Sequence, residues 1–194
     1  MKKNKKINNF GFSLIEIILS LFLFVILSLN IITLFQAYQK YSVIIPKSIT
    51  NANAKNENLK IIDNLKIYIR EAQSILDSTV INSVTYNSGT STLVLQLRSI
   101  DNNDNIILGS NDIVVFNLET STFPYKLYRI INADSNSKRS SGKILISDSV
   151  KNLIFKYSNL SPKYSKSVII YLETIKKYKN EDLIEQSTTT VNLR

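Results

Sequence analysis

The sequence predicts an α+β fold: a long N-terminal α-helix, transmembrane in one half and amphipathic in the other, packed on a mainly antiparallel β-sheet domain. Three observations predict it. An apolar run fills positions 12–35, apolar residues spaced three or four apart follow over 51–76, and from Thr79 the chain breaks into short segments rich in Ile, Val, Thr and Tyr. A helix followed only by strands is the element order of α+β domains, and neighbouring strands joined by short connections pair antiparallel. With 194 residues, 44% of them apolar, the chain can bury one sizeable core.

Composition narrows the chemistry before any motif is read. The chain has no Cys and no His. That excludes disulfides, thiolate metal sites and a thiol nucleophile, and it removes the commonest metal ligand and general base, so the sequence reads as a non-enzyme with no cofactor. Net charge is +9, from 24 basic and 15 acidic residues. It is unevenly placed: residues 1–11 hold four Lys and no acid, 12–125 hold seven basic and nine acidic residues, and 126–194 hold 13 basic and six acidic. A basic start before an apolar run points to membrane targeting, and a basic C-terminal half suits contact with an anionic partner.

Residues 1–11 form a short basic leader with Lys2, Lys3, Lys5 and Lys6. The 24 residues from Phe12 to Phe35 carry a single charge, Glu16. As a helix they would extend roughly 36 Å, more than the ~30 Å hydrocarbon core of a bilayer. The preceding lysines orient such a span with its start in the cytoplasm and the rest of the chain outside, giving a single-pass protein of the cytoplasmic membrane. A cleaved secretory signal, a plain signal anchor and a buried core helix are the competing readings. The run is longer than a signal's apolar region and no small-x-small cleavage site follows it. A carboxylate inside a span is costly, which argues against an accidental Glu16.

The segment Gly11-Phe12-Ser13-Leu14-Ile15-Glu16, between a Lys-rich leader and an apolar run, resembles the class III signal of type IV pilins and type II secretion pseudopilins. The resemblance implies that a prepilin peptidase cuts after Gly11, that Phe12 becomes the N-methylated mature N-terminus, and that Glu16 is the carboxylate used in filament assembly. The residue types suit those roles. Gly lacks a Cβ and enters an extended protease conformation freely. Positions i and i+4 share a helix face, so Glu16 lies one turn above the ammonium that cleavage creates on Phe12. In a filament of axially staggered subunits, Glu16 of one protomer would meet that ammonium on its neighbour, each neutralising the other in apolar surroundings.

Residues 36–78 are expected to continue the helix, with Tyr38 and Tyr41 suited to the membrane interface and a kink or break near Ile45, before Pro46. Leu59, Ile62, Leu65, Ile69, Ala72 and Leu76 then mark an amphipathic helix over 51–76, laid against a sheet; a coiled-coil seam is the other reading, over few heptads. Residues 79–194 make the β domain. Thr79–Tyr86 and Thr92–Arg98 are expected to form a hairpin about Asn87-Ser88-Gly89, with Gly89 supplying positive φ. Further strands are expected at Ile106–Leu108, Ile113–Leu118, Tyr125–Ile131, Lys143–Ile146, Val150–Tyr157, Val168–Glu173 and Thr188–Leu193. Residues 132–142 read as an exposed, mobile loop and 178–186 as a charged excursion between strands.

Val114–Leu118, Tyr125–Arg129, Val150–Tyr157, Val168–Leu172 and the Thr-rich end at Asn192-Leu193-Arg194 are similar to the C-terminal half of J-type minor pseudopilins and related minor pilins. That resemblance implies a minor subunit near a filament tip, with other pilin or pseudopilin subunits as partners. The alternative is a tip-displayed binding module for adhesion or DNA capture: Tyr157, Tyr164, Tyr171 and Tyr178 lie among lysines, a pattern that fits single-stranded nucleic acid if they share one face. Strand alternation produces the same pattern with tyrosines inward and lysines outward. Asp101-Asn102-Asn103-Asp104-Asn105 offers oxygen ligands but lacks the spacing of a calcium loop, and reads as a solvated turn. Ser135 to Lys138 spells Ser-x-x-Lys in a loop, without the preorganisation a nucleophile needs.

Overall fold

The computed structural model describes residues Ser13–Lys179 and Glu181–Arg194 and divides into two compact units, with the boundary between Ser48 and Ile49. One helix, α1 (Leu14–Glu71), supplies residues to both. The first unit is helical throughout its described residues. The kink or break expected near Ile45 is not a break: helical hydrogen bonding is assigned straight through Pro46. Proline has no N–H, so the helix forgoes one i to i−4 bond there, while intact turns on either side hold the residue in place.

The second unit is an antiparallel sheet with a helix on one face and a hairpin on the other. Its strands are β1 (Ala72–Ile75), β2 (Ser78–Ile81), β3 (Val84–Asn87), β4 (Thr92–Ile100), β5 (Ile106–Glu119), β6 (Tyr125–Asn132), β7 (Gly142–Tyr157), β8 (Ser167–Tyr178) and β9 (Glu181–Asn192). Seven of them form one sheet in the order β1-β4-β5-β6-β7-β8-β9, and β2 and β3 pair separately. The α+β architecture is the one the sequence predicts. From α1, Ile61, Ile62, Leu65 and Ile69 enter the main core, where they meet Leu93, Leu95 and Leu97 of β4, Val114 and Phe116 of β5, and Phe155, Ile170 and Leu172 farther along the sheet. Each such side chain, fully buried, contributes about 1.5–3 kcal/mol of transfer free energy. On the opposite face, Ile81 of the hairpin joins Val94, Val115 and Ile130 in a smaller cluster.

Several expected boundaries move, each for a local reason. The amphipathic helix stops at Glu71 rather than Leu76. Ala72 and Ile75 are still buried, but as strand residues paired with Leu97 and Leu95, and β4 thereby gains a backbone partner that a longer helix would have denied it. The expected hairpin about Asn87-Ser88-Gly89 does not form. The chain turns earlier, at Asn82 and Ser83, whose φ values of 49° and 65° are those of a tight two-residue turn, and β3 and β4 lie in different sheets. Gly89 is not at positive φ; its N–H bonds the Thr92 carbonyl at 2.8 Å and leads the chain into β4.

Other expected strands are shorter than the observed ones. The segments at 106–108 and 113–118 merge into β5, and those at 143–146 and 150–157 merge into β7, whose pairing with β6 and β8 shifts register around Ser147 and Lys151. The excursion expected over 178–186 is not found in its described residues: β8 and β9 pair without interruption from Ser167–Asn192 to Tyr178–Glu181. Charged side chains can stand on the exposed face of a two-sided ribbon, so their density there carries no loop signal.

Candidate functional site

Every large apolar residue of the helix from Leu14 to Phe35 is at least 40% exposed, and the segment has a mean hydropathy of 2.7 over its most apolar 18 residues with none of that window buried. By length and composition it is long and apolar enough to cross a membrane. Its polar side chains are compatible with lipid. Ser20 Oγ donates to the Ile17 carbonyl at 2.9 Å, Ser28 Oγ to Phe24 at 2.8 Å, Thr33 Oγ1 to Asn30 at 2.8 Å, and the Asn30 side-chain amide to Ile26 at 2.8 Å. The three hydroxyls and one N–H of the Asn30 amide fold back on their own helix, so those donors need no water.

Glu16 is the one charged residue of this stretch and sits, exposed, in the first turn. Its Oε2 accepts the Ser13 N–H at 2.9 Å, while the Ser13 carbonyl accepts the N–H groups of Glu16 and Ile17. Ser13 precedes the first helical residue, so Ser13-Leu14-Ile15-Glu16 follows the Ser-x-x-Glu pattern in which the third helical residue reaches back to the cap. That pattern is visible in the sequence, and it gives Glu16 a local role beside the intermolecular one that the resemblance implies. An acid in the first turn is also favoured by the helix dipole. Gly11 and Phe12, the expected cleavage and methylation positions, lie outside the described residues.

In the second unit a polar seam fastens α1 to the sheet. Glu57 accepts hydrogen bonds from Ser147 (2.7 Å) and from Ser149, and Lys176 stands 2.5 Å from its other oxygen. Burial pushes the Glu57 carboxyl up, but Lys176 and the two serines outweigh it and hold its pKa below the ordinary value. One turn position along, buried Asn58 donates to Thr174 Oγ1 and to the Glu185 carbonyl, and accepts from Ser187 Oγ. Asn58 thus ties the helix to β8 and β9 together.

A second polar centre organises the loop over 132–142. Asp112 is fully buried and accepts from Ser99 Oγ (2.8 Å), the Asp134 N–H (2.9 Å), Ser137 Oγ (2.7 Å) and Arg139 (2.7 Å). Burial raises its pKa, and Arg139 with the three other donors lowers it further than burial lifts it. Arg139 also donates to Glu71 at the end of α1 and to the Arg98 carbonyl. The loop expected to be mobile is therefore pinned through its middle. Sequence reasoning missed Asp112 and Arg139 because 27 positions separate them; the one usable signal was an acid standing in an otherwise apolar strand.

The remaining expected features are accounted for individually. Asp101 accepts N–H groups from Asn103 and Asn105, both at 2.8 Å, so its carboxylate closes a turn, and Asp104 pairs with Lys138. Among the described residues no three of His, Cys, Asp and Glu come together to hold a metal ion. The four spaced tyrosines do not present a common face. Tyr157 is anchored on the Gly89 and Thr92 carbonyls, both at 3.0 Å, and burial raises its pKa to about 12. Tyr171 donates to Glu173, and lysines cover the rings of Tyr164 and Tyr178. Lys138 of the Ser-x-x-Lys sequence is held in its ion pair with Asp104. No protein-family model, no curated protein and no solved structure matches this chain.

Proposed function

We propose that this chain is a minor pilin or pseudopilin: a filament subunit held in the cytoplasmic membrane by its N-terminal helix, cleaved by a prepilin peptidase after Gly11 and methylated on Phe12. The observation that carries the reading is the apolar stretch of α1 from Leu14 to Phe35, whose large apolar residues are all exposed and whose only charge is a carboxylate in the first turn. The cap on Ser13 needs only an acceptor oxygen, and a lone carboxylate in lipid is unfavourable, which favours a role for the charge itself. Cleavage before Phe12 would free an ammonium one turn below Glu16. In the assembled filament the carboxylate of one protomer neutralises the ammonium of the next, which sets the axial stagger. The β domain stays outside the membrane and provides the surface that other subunits recognise.

Intact mass spectrometry of the protein extracted from membranes of its own host tests the reading. The expected species lacks residues 1–11 and carries one added methyl group. A chain that still begins at Met1, in cells whose prepilin peptidase processes other substrates, rules it out. Gly11→Leu should leave the leader attached without preventing membrane insertion.

A further inference from the structure

The two edges of the seven-stranded sheet are finished differently. β1 has four residues, slips register between Ala72 and Ser74, and packs against the 3₁₀ turn over Pro162–Tyr164. Short length, a bulge and a covering loop all blunt a sheet edge against an incoming strand. β9 has none of them. Its 12 residues pair in unbroken register with β8, and no strand follows it in the sheet order. It contains no Pro, Gly, Lys or Arg, the residues that interrupt or repel an added strand. α1 reaches β9 from one face of the sheet, where Asn58 bonds Ser187 and the Glu185 carbonyl. On the other face Asp182, Ile184, Gln186, Thr188 and Thr190 are all exposed. Every second residue of such an edge turns its N–H and C=O outward, away from the strand it is paired with.

We propose that β9 pairs with β9 of a second copy of this chain, antiparallel about a two-fold axis at Gln186, so that two sheets become one. Main-chain groups in series at strand spacing are satisfied only by another backbone, and a two-fold axis lets one edge serve as its own partner. The order of charge along the strand selects this occupant. Its three acids, Glu181, Asp182 and Glu185, all precede Gln186, and none follows. About an axis at Gln186, Asp182 stands opposite Thr190, Ile184 opposite Thr188 and Glu185 opposite Ser187, so no acid meets an acid. An axis one residue earlier would set the two Glu185 carboxylates against each other, and parallel in-register pairing would oppose all three acids to their copies. The acid-free half carries Thr188, Thr189 and Thr190, β-branched residues that favour strands and pair well across them.

The test uses the full chain in dodecylmaltoside micelles. The chain has no Cys, so single cysteines report the pairing without background. Cysteine is placed in turn at Asp182, Ile184, Gln186, Thr188 and Thr190, and the disulfide-linked dimer formed on mild oxidation is measured on non-reducing gels. Each two-residue step from the axis moves the two copies of a position roughly 13 Å farther apart, beyond the reach of a disulfide. The yield should therefore peak at Gln186→Cys and fall about fivefold or more at Asp182→Cys and Thr190→Cys. In sedimentation at equal protein concentration the unaltered chain should form a dimer. Thr188→Pro, which removes a main-chain N–H, and separately Gln186→Lys with Thr188→Lys, which sets like charges across the axis, should each lower the dimer fraction about tenfold. Lys156→Glu on β7 should leave it in place. A monomer at every concentration, a dimer that survives the lysine changes, or a cross-linking maximum away from Gln186 each overturns the inference, and a dimer held through α1 would give the second of these results. None of these outcomes depends on whether the leader is cleaved, so the filament reading stands or falls separately.

Discussion

Glu16 caps the helix start, and substitutions can separate that role from the proposed one in filament assembly. Glu16→Ala removes both the charge and the hydrogen bond to the Ser13 N–H, whereas Glu16→Gln keeps an acceptor oxygen for the cap and loses only the charge. If assembly uses the charge, Gln should be incorporated into filaments as poorly as Ala, scored by subunit recovery in sheared filament fractions; normal incorporation of the Gln variant would leave the cap as the whole role. Asp112 is the residue on which the second unit most depends locally. Asp112→Ala leaves Arg139, Ser99 and Ser137 facing an uncompensated gap and should cost about 3–5 kcal/mol, seen as a large drop in thermal midpoint. Of these two residues, the sequence marked Glu16 through its spacing from Gly11 and Phe12. It gave no comparable mark to Asp112, whose importance comes from partners brought near it only by folding.

At the scale of elements, periodicity read the helix face well because Leu65 and Ile69 are buried for the same reason they are spaced three and four apart. It failed where two conformations bury the same residues, as at Ala72 and Ile75, and where a turn uses Asn82 and Ser83 instead of the glycine nearby. Pairing with the distant strand β4 decided the first. The Asn82-Ser83 turn holds two L-residues at positive φ, a conformation that favours glycine. Ser83→Gly should therefore stabilise the β2–β3 hairpin by about 0.5–1 kcal/mol, measurable as slower amide exchange in Thr79 and Tyr86, whose N–H groups face the partner strand. The polar seam was also out of reach of sequence patterns: helical spacing does not single out Glu57 or Asn58, whose partners Ser147, Ser149 and Thr174 come opposite them only on folding.

For the molecule as a whole, acid is the expected weak point of the β unit. Glu57 and Asp112 both have pKa values below their ordinary ones in the folded chain. A lowered carboxylate pKa stabilises the fold above the unfolded value, near 4, and that contribution disappears as pH falls through the folded pKa. Unfolding free energy should thus be flat from neutral pH to about 5 and decline below about 4, and Glu57→Gln with Asp112→Asn should flatten the acid limb while lowering the plateau. The first unit is expected to resist alkaline carbonate extraction from membranes, as an integral helix does. Within it, the hydroxyls of Ser20, Ser28 and Thr33 and one N–H of the Asn30 amide are spent on their own backbone. What lipids or adjoining helices then encounter is a nearly smooth rod, whose remaining directional groups are those left on the Asn30 amide. The one charge that could index it along its length stands in the very first turn.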